Sequence, residues 1–176
     1  MHREKYWSSK VPLPLALLFV LNVLLIFAAE VLFLYTFPAQ PGAEDLAKYD
    51  PVYKGSRVLI SDERSYLGAS LVEASDGQTH LVVTRYHSIA YNRCRILYAE
   101  PVEIPASGEQ TVSVKNGIHT SEIGIGNTVA DYPFVAIRYS NTGTIREQSV
   151  IYMLLAAVLE ALELAVFYLI QKNLMS

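Results

Sequence analysis

The sequence predicts an α+β membrane protein in which two antiparallel transmembrane helices flank an extracytoplasmic all-β domain, a sandwich or partly open barrel. Three observations predict it. Apolar runs at residues 13–37 and 150–170 each exceed what ~30 Å of hydrocarbon requires at roughly 1.5 Å per residue. Between them, short β-branched and aromatic segments alternate apolar with polar residues and are bounded by turn formers. Both apolar runs nevertheless contain carboxylates, Glu30 in the first and Glu160 with Glu163 in the second.

Taken in order, residues 1–12 read as a cytoplasmic tail and 13–37 as the first transmembrane helix, interrupted only by Asn22, Glu30 and Thr36. A cleaved signal peptide is the competing reading of this run, because Arg3 and Lys5 precede it. The run is, however, far longer than a signal core of about 7 to 15 residues, and no small-x-small cleavage site follows it. Residues 38–50, with two prolines and a glycine near their start, read as a linker holding a helical turn at 44–49. Residues 51–148 read as the β-domain, with strands expected at 57–60, 66–74, 79–86, 95–104, 110–115, 122–125 and 134–139. Asp76-Gly77 and Asn116-Gly117 are hairpin turns, since both dipeptides accept positive φ. Residues 149–171 form the second transmembrane helix with Ser149 as its N-cap, and 172–176 a second cytoplasmic tail.

Orientation follows from the flanks. Arg3, Lys5, Lys10 and Lys172 outweigh Lys48, Arg138 and Arg146, which places both termini in the cytoplasm and residues 38–148 outside, at the plasma membrane. Tyr6, Trp7, Tyr35, Phe37, Tyr152 and Tyr168 sit where interfacial aromatic belts are expected. The intervening segment holds 10 Lys or Arg against 13 Asp or Glu, interspersed, so no concentrated basic face suggests nucleic acid. Cys94 is the sole cysteine, which excludes an intrachain disulfide and reads as a buried free thiol.

An acid within a span costs about 2.5 to 3.5 kcal/mol to insert, so Glu30, Glu160 and Glu163 mark a protein interior or polar cavity. Measured inward from Pro38 and Ser149, Glu30 lies about 12 Å deep and Glu160 about 16 Å, while Glu163 at about 21 Å approaches Asn22 at about 24 Å. Glu160 and Glu163 share one helix face. Beside it, Ala157, Ala161 and Ala165 repeat at the small-xxx-small spacing of close helix packing. In the β-domain, Tyr86, Tyr91, Arg93, Arg95 and Tyr98 form a Tyr/Arg cluster of interface-like composition. His80, His87 and His119 lack metal-site spacing, and Gly124-Ile125-Gly126 lacks the rest of a dinucleotide fingerprint and reads as a strand end or bulge. Neither a catalytic signature nor a cofactor motif is present.

These features predict a non-enzymatic integral membrane subunit, an accessory or scaffold component of a transport or signalling complex, partnered by the bilayer and by a homo- or hetero-oligomeric membrane protein. The alternative is a self-assembling ion channel or proton-coupled pore lined by the intramembrane glutamates.

Overall fold

The computed structural model describes residues 12–90, 92–128, 130–141 and 145–174. They fall into two compact units, a helical one within residues 1–32 and 145–176 and a β-domain within residues 33–144. Two long apolar helices thus flank an all-β region.

The helical unit consists of α1 (Pro12–Phe33) and α3 (Ile145–Leu174). The α1 helix stops four residues before the apolar run does. Pro38 disfavours helix in the residue before it, and the β-branched Thr36 adds to the tendency to extend. Tyr35 and Phe37 accordingly leave the helix and join the β-domain. At the other end α3 begins at Ile145, so Ser149 lies inside the helix and is not its N-cap.

The β-domain opens with β1 (Phe37–Pro38) and α2 (Ala43–Tyr49), followed by a 3₁₀ turn at Pro51–Tyr53. Seven longer strands follow: β2 (Arg57–Arg64), β3 (Leu67–Glu73), β4 (Thr79–Tyr86), β5 (Arg93–Pro101), β6 (Glu109–Asn116), β7 (His119–Asn127) and β8 (Pro133–Tyr139). They build a five-stranded sheet in the order β1-β5-β4-β3-β2 and a three-stranded sheet in the order β6-β7-β8, antiparallel throughout. Gly77 and Gly117 take φ of +78° and +62° at the two hairpin turns, a region that side-chain-bearing residues rarely enter.

Alternation along each strand decides the core. Leu67, Ala69, Leu71, Leu81 and Val83 of the larger sheet face Val114, Ile123, Ile125, Val135 and Ile137 of the smaller one, all buried. The outer face of the larger sheet is covered as well. Leu46 of α2 and Tyr53 of the 3₁₀ turn close over Val72, Ala74 and Val82, so the segment expected to be a linker holds a helix anchored to the domain through Leu46. Asp50 caps the 3₁₀ turn by accepting from the Val52 amide at 2.9 Å, and the Ser75 hydroxyl donates to Val52 O at 2.7 Å.

The two sheets meet along β2 and β8 through side chains in place of a backbone ladder. Asp62 accepts from the Ile137 amide at 2.8 Å, and Arg64 Nη1 reaches both Ile137 O and Arg138 O at 3.3 Å. An edge strand with open donors and acceptors is an aggregation risk, and here two charged side chains occupy it. Gly124 and Gly126, expected at a strand end or bulge, lie in the last four residues of β7, just past a register shift at Glu122/Ile123. A side chain at 124 would occupy the path of the Glu109–Arg138 ion pair, which crosses β7 from β6 to β8. At Gly126, a Cβ would collide with Gly108 O and meet the Phe134 ring at 2.9 Å. Glycine is therefore required by close approach.

Candidate functional site

In the helical unit the polar side chains gather on one seam. Asn22 Nδ2 donates to Glu163 Oε2 at 3.1 Å, and the Tyr152 hydroxyl donates to Glu30. Moving from 22 to 30 on α1 runs from 163 back to 152 on α3, so the helices are antiparallel. Asn22 is 1% exposed, Tyr152 7%, and Ala156 between the two bridges is fully buried. Phe27 meets the Tyr152 ring edge-on at 6.5 Å, giving the hydroxyl a fixed approach to the carboxylate.

This arrangement departs from the sequence reading at three points. Tyr152 was expected in an aromatic belt, yet it is a buried hydrogen-bond donor. Its signal was available, because Tyr152, Ala156 and Glu163 follow helical i, i+4 and i+11 spacing. Glu30 is bridged to Tyr152 and not to Glu160. Glu160 is half-buried and makes no hydrogen bond among the described residues. Ala157, Ala161 and Ala165 are exposed, so the close approach to α1 uses Ala156 instead.

The Tyr/Arg cluster does not form one surface. The β4–β5 register places an extra residue, Leu97, opposite Val83/Thr84. Such a bulge interrupts alternation. Leu97 and Tyr98 both turn to the core between the sheets, while Ile96 and Ala99 face the opposite side. Tyr86 lies on the outer face and donates to Glu63 Oε1 at 2.8 Å; burial, then the Glu63 carboxylate, pushes its phenol well up. Arg93 Nη1 reaches Thr36 O at 3.5 Å, and Arg95 sits over the Tyr35 ring at 5.5 Å while donating to Asn116 Oδ1 at 2.6 Å. Tyr91 lies outside the described residues.

Sequence reasoning also missed the knot around Tyr35. Its ring, 1% exposed, meets the buried His87 edge-on at 4.7 Å. His87 Nδ1 accepts from the Ile89 and Ala90 amides at 3.1 and 2.9 Å, so this imidazole shapes the loop after β4. No local pattern announces a contact between residues 52 positions apart.

On the outer face of the larger sheet a cleft of about 290 Å³ lies between residues 39–41 and β2–β4, with Glu63, Ser70, Thr84 and Tyr86 among its lining. Gly68 forms its floor, since a Cβ there would meet the Tyr86 hydroxyl at 2.6 Å. Glu63 also accepts from Gln40 Nε2 at 3.2 Å. The cleft offers the Asp62 and Glu63 carboxylates and the hydroxyls of Ser61, Ser70, Thr84 and Tyr86. Among the described residues, no group of three His, Cys, Asp or Glu side chains is placed to hold a metal ion.

Cys94 is fully buried and its thiol donates to Pro38 O at 3.0 Å, tying β5 to β1. Burial pushes that thiol from 9.0 up to about 12. Burial likewise raises the Tyr53 phenol, which is 3.0 Å from His80 Nδ1, from 10.0 to about 12. In both cases the folded state favours the protonated, neutral form. The stability contributed is therefore complete below pH 9 and is lost as pH rises through 12, because the unfolded chain releases these protons first. Urea midpoints measured across that range should fall steadily in the parent and less steeply in Cys94→Ala. Equal slopes would remove the thiol from the account.

Comparison with known protein families, curated proteins and solved structures finds no match to the chain.

Proposed function

We propose that the chain is a non-enzymatic integral membrane subunit: α1 and α3 cross the bilayer as a hairpin with both termini in the cytoplasm, and the β-domain lies outside, where it binds a partner or ligand. The observation that carries this reading is the inverted polarity of the helix pair. Leu24, Leu25, Leu155, Val158 and Leu162 are exposed, whereas Asn22, Tyr152 and, partly, Glu30 and Glu163 turn inward. In water such an arrangement leaves a wide apolar surface uncovered; in hydrocarbon it is favourable, because the polar groups find each other and the apolar ones meet lipid. Helical stretches of 21 and 22 residues, Leu13–Phe33 and Ser149–Ile170, suit that length.

The internal bridges favour a subunit over a pore. Glu30 and Glu163 are engaged by the chain's own helices, so neither is a free carboxylate ready to line a pathway. Glu160, with no such bridge, is the acid left for a neighbouring subunit.

Cysteine accessibility tests the topology. In a Cys94→Ser background, Gln78→Cys on the exposed β3–β4 turn should react with an impermeant maleimide in intact cells, while Ser8→Cys should react only after permeabilisation. Labelling of both without permeabilisation would refute the arrangement. The mass of the protein purified alone in mild detergent separates the two assemblies, since a pore must form from identical copies and a subunit need not.

A further inference from the structure

The last row that runs across all of β2–β5 in the larger sheet, near the end where β4 meets the His87 loop, is unusually basic. Arg64 pairs with Leu67, Leu67 with Arg85, and Arg85 with Arg95. Residues in register across antiparallel strands project to the same side, and Leu67 belongs to the core, so the row lies at the mouth of the space between the sheets. Arg85 and Arg95 are immediate neighbours. Like charges placed directly opposite on adjacent strands repel, and no carboxylate among the described residues pairs with either.

The hydrogen-bond donors of the row carry the same imbalance. Arg85, half-buried, makes no hydrogen bond or ion pair among the described residues, and its Nε is buried without a partner. Arg95 Nε is in the same position. Opposite them, Asn116 is 4% exposed; its Oδ1 is taken by Arg95, and its Nδ2 is buried and unpartnered. The paired Arg85 and Arg95 and the Asn116 bonded to Arg95 thus hold three buried N–H donors without a partner and two positive charges, with Asn116 Oδ1 the one acceptor engaged among them, whereas buried donors ordinarily find a partner each. An anion with several acceptor oxygens resolves both the repulsion and the unsatisfied donors.

We propose that Arg85, Arg95 and Asn116 form an anion site that takes a phosphate group, with Arg64 at its flank. Chain continuity indicates the source. Tyr35 lies beneath Arg95, and Asn141 N bonds Ser121 Oγ at 3.2 Å, two residues from His119, the register partner of Asn116. Both ends of the β-domain therefore emerge beside the site. On the membrane reading above, those ends continue into the two spanning helices, which makes the phosphate of an anionic lipid headgroup the ligand; the site itself stands without that reading.

The test uses the full chain in a neutral detergent, following the thermal midpoint of the β signal by circular dichroism. Millimolar inorganic phosphate and, separately, short-chain phosphatidylglycerol are added against chloride at equal ionic strength. Parent protein should gain roughly 4 °C, and Arg57→Gln, which removes a distant surface arginine, should respond alike. Arg85→Gln should show no response. Asn116→Asp supplies a carboxylate in place of the ligand, keeps a residue that tolerates the turn, and should start with a higher midpoint while losing the phosphate response. A response to phosphatidylglycerol exceeding that to phosphate supports the headgroup as source; a response to phosphate alone supports the site and rejects the lipid. No shift in the parent with either ligand, or an undiminished shift in Asn116→Asp, overturns the proposal.

Discussion

Tyr35→Ala should lower the stability of the β-domain by about 3–5 kcal/mol, the range for removing a large aromatic from a packed interior. Tyr35 lies two residues past the end of α1, yet its ring is 1% exposed, edge-on to His87 and capped by the Arg95 guanidinium. Truncation leaves a cavity where the domain's entry segment meets the loop after β4 and the β5 strand into which that loop leads. Tyr35→Leu fills much of the space without the aromatic edge or the cation–π contact, so it should recover about half of the loss. Urea unfolding of the full chain in detergent, followed by circular dichroism, measures both. A cost below about 1 kcal/mol for Tyr35→Ala would show that the entry segment is dispensable to the domain and that its burial is incidental.

The second large effect is expected at the sheet junction. Asp62→Ala removes the acceptor of the Ile137 amide, and an unsatisfied partly buried N–H costs about 1–3 kcal/mol. Asp62→Asn keeps an acceptor oxygen in the same place and should lose much less. Hydrogen exchange distinguishes a local from a global effect: the Ile137 amide should lose protection in Asp62→Ala beyond the change seen in the core amides of β3 and β4. Uniform loss would mean that the junction contributes only to global stability. The same junction explains why two sheets that share no hydrogen-bonded strand pair still form one domain, with Arg64 and Asp62 standing in for backbone at the β2–β8 seam.

Local pattern and tertiary placement contributed differently to the two candidate regions. The seven long strands lie where alternation and the Asp-Gly and Asn-Gly turns indicate, because a period of two and a positive φ are properties of a few adjacent residues. The helix-pair seam was half legible. Depth along the helix axis follows from residue count, so the approach of Asn22 to Glu163 could be anticipated, but rotation about the axis depends on the partner helix, and it exchanged Ala156 for Ala157 and Tyr152 for Glu160 as the groups in contact. In the Tyr/Arg cluster a single bulge at Leu97 was enough to send Tyr98 inward and to separate it from Tyr86.

By itself the sequence determined the two apolar helices, the all-β character between them, its two hairpins and the buried thiol of Cys94, all of which rest on composition and short-range periodicity. Only the tertiary structure decided that residues 38–50 supply β1 and the packed helix α2, that Asp62 and Arg64 join the sheets, and that Arg85 faces an Arg95 bonded to Asn116 while a buried N–H of each is left without a partner. The reason is physical: these outcomes depend on strand register and on long-range pairing, where a shift of one residue reverses which side chains share a face.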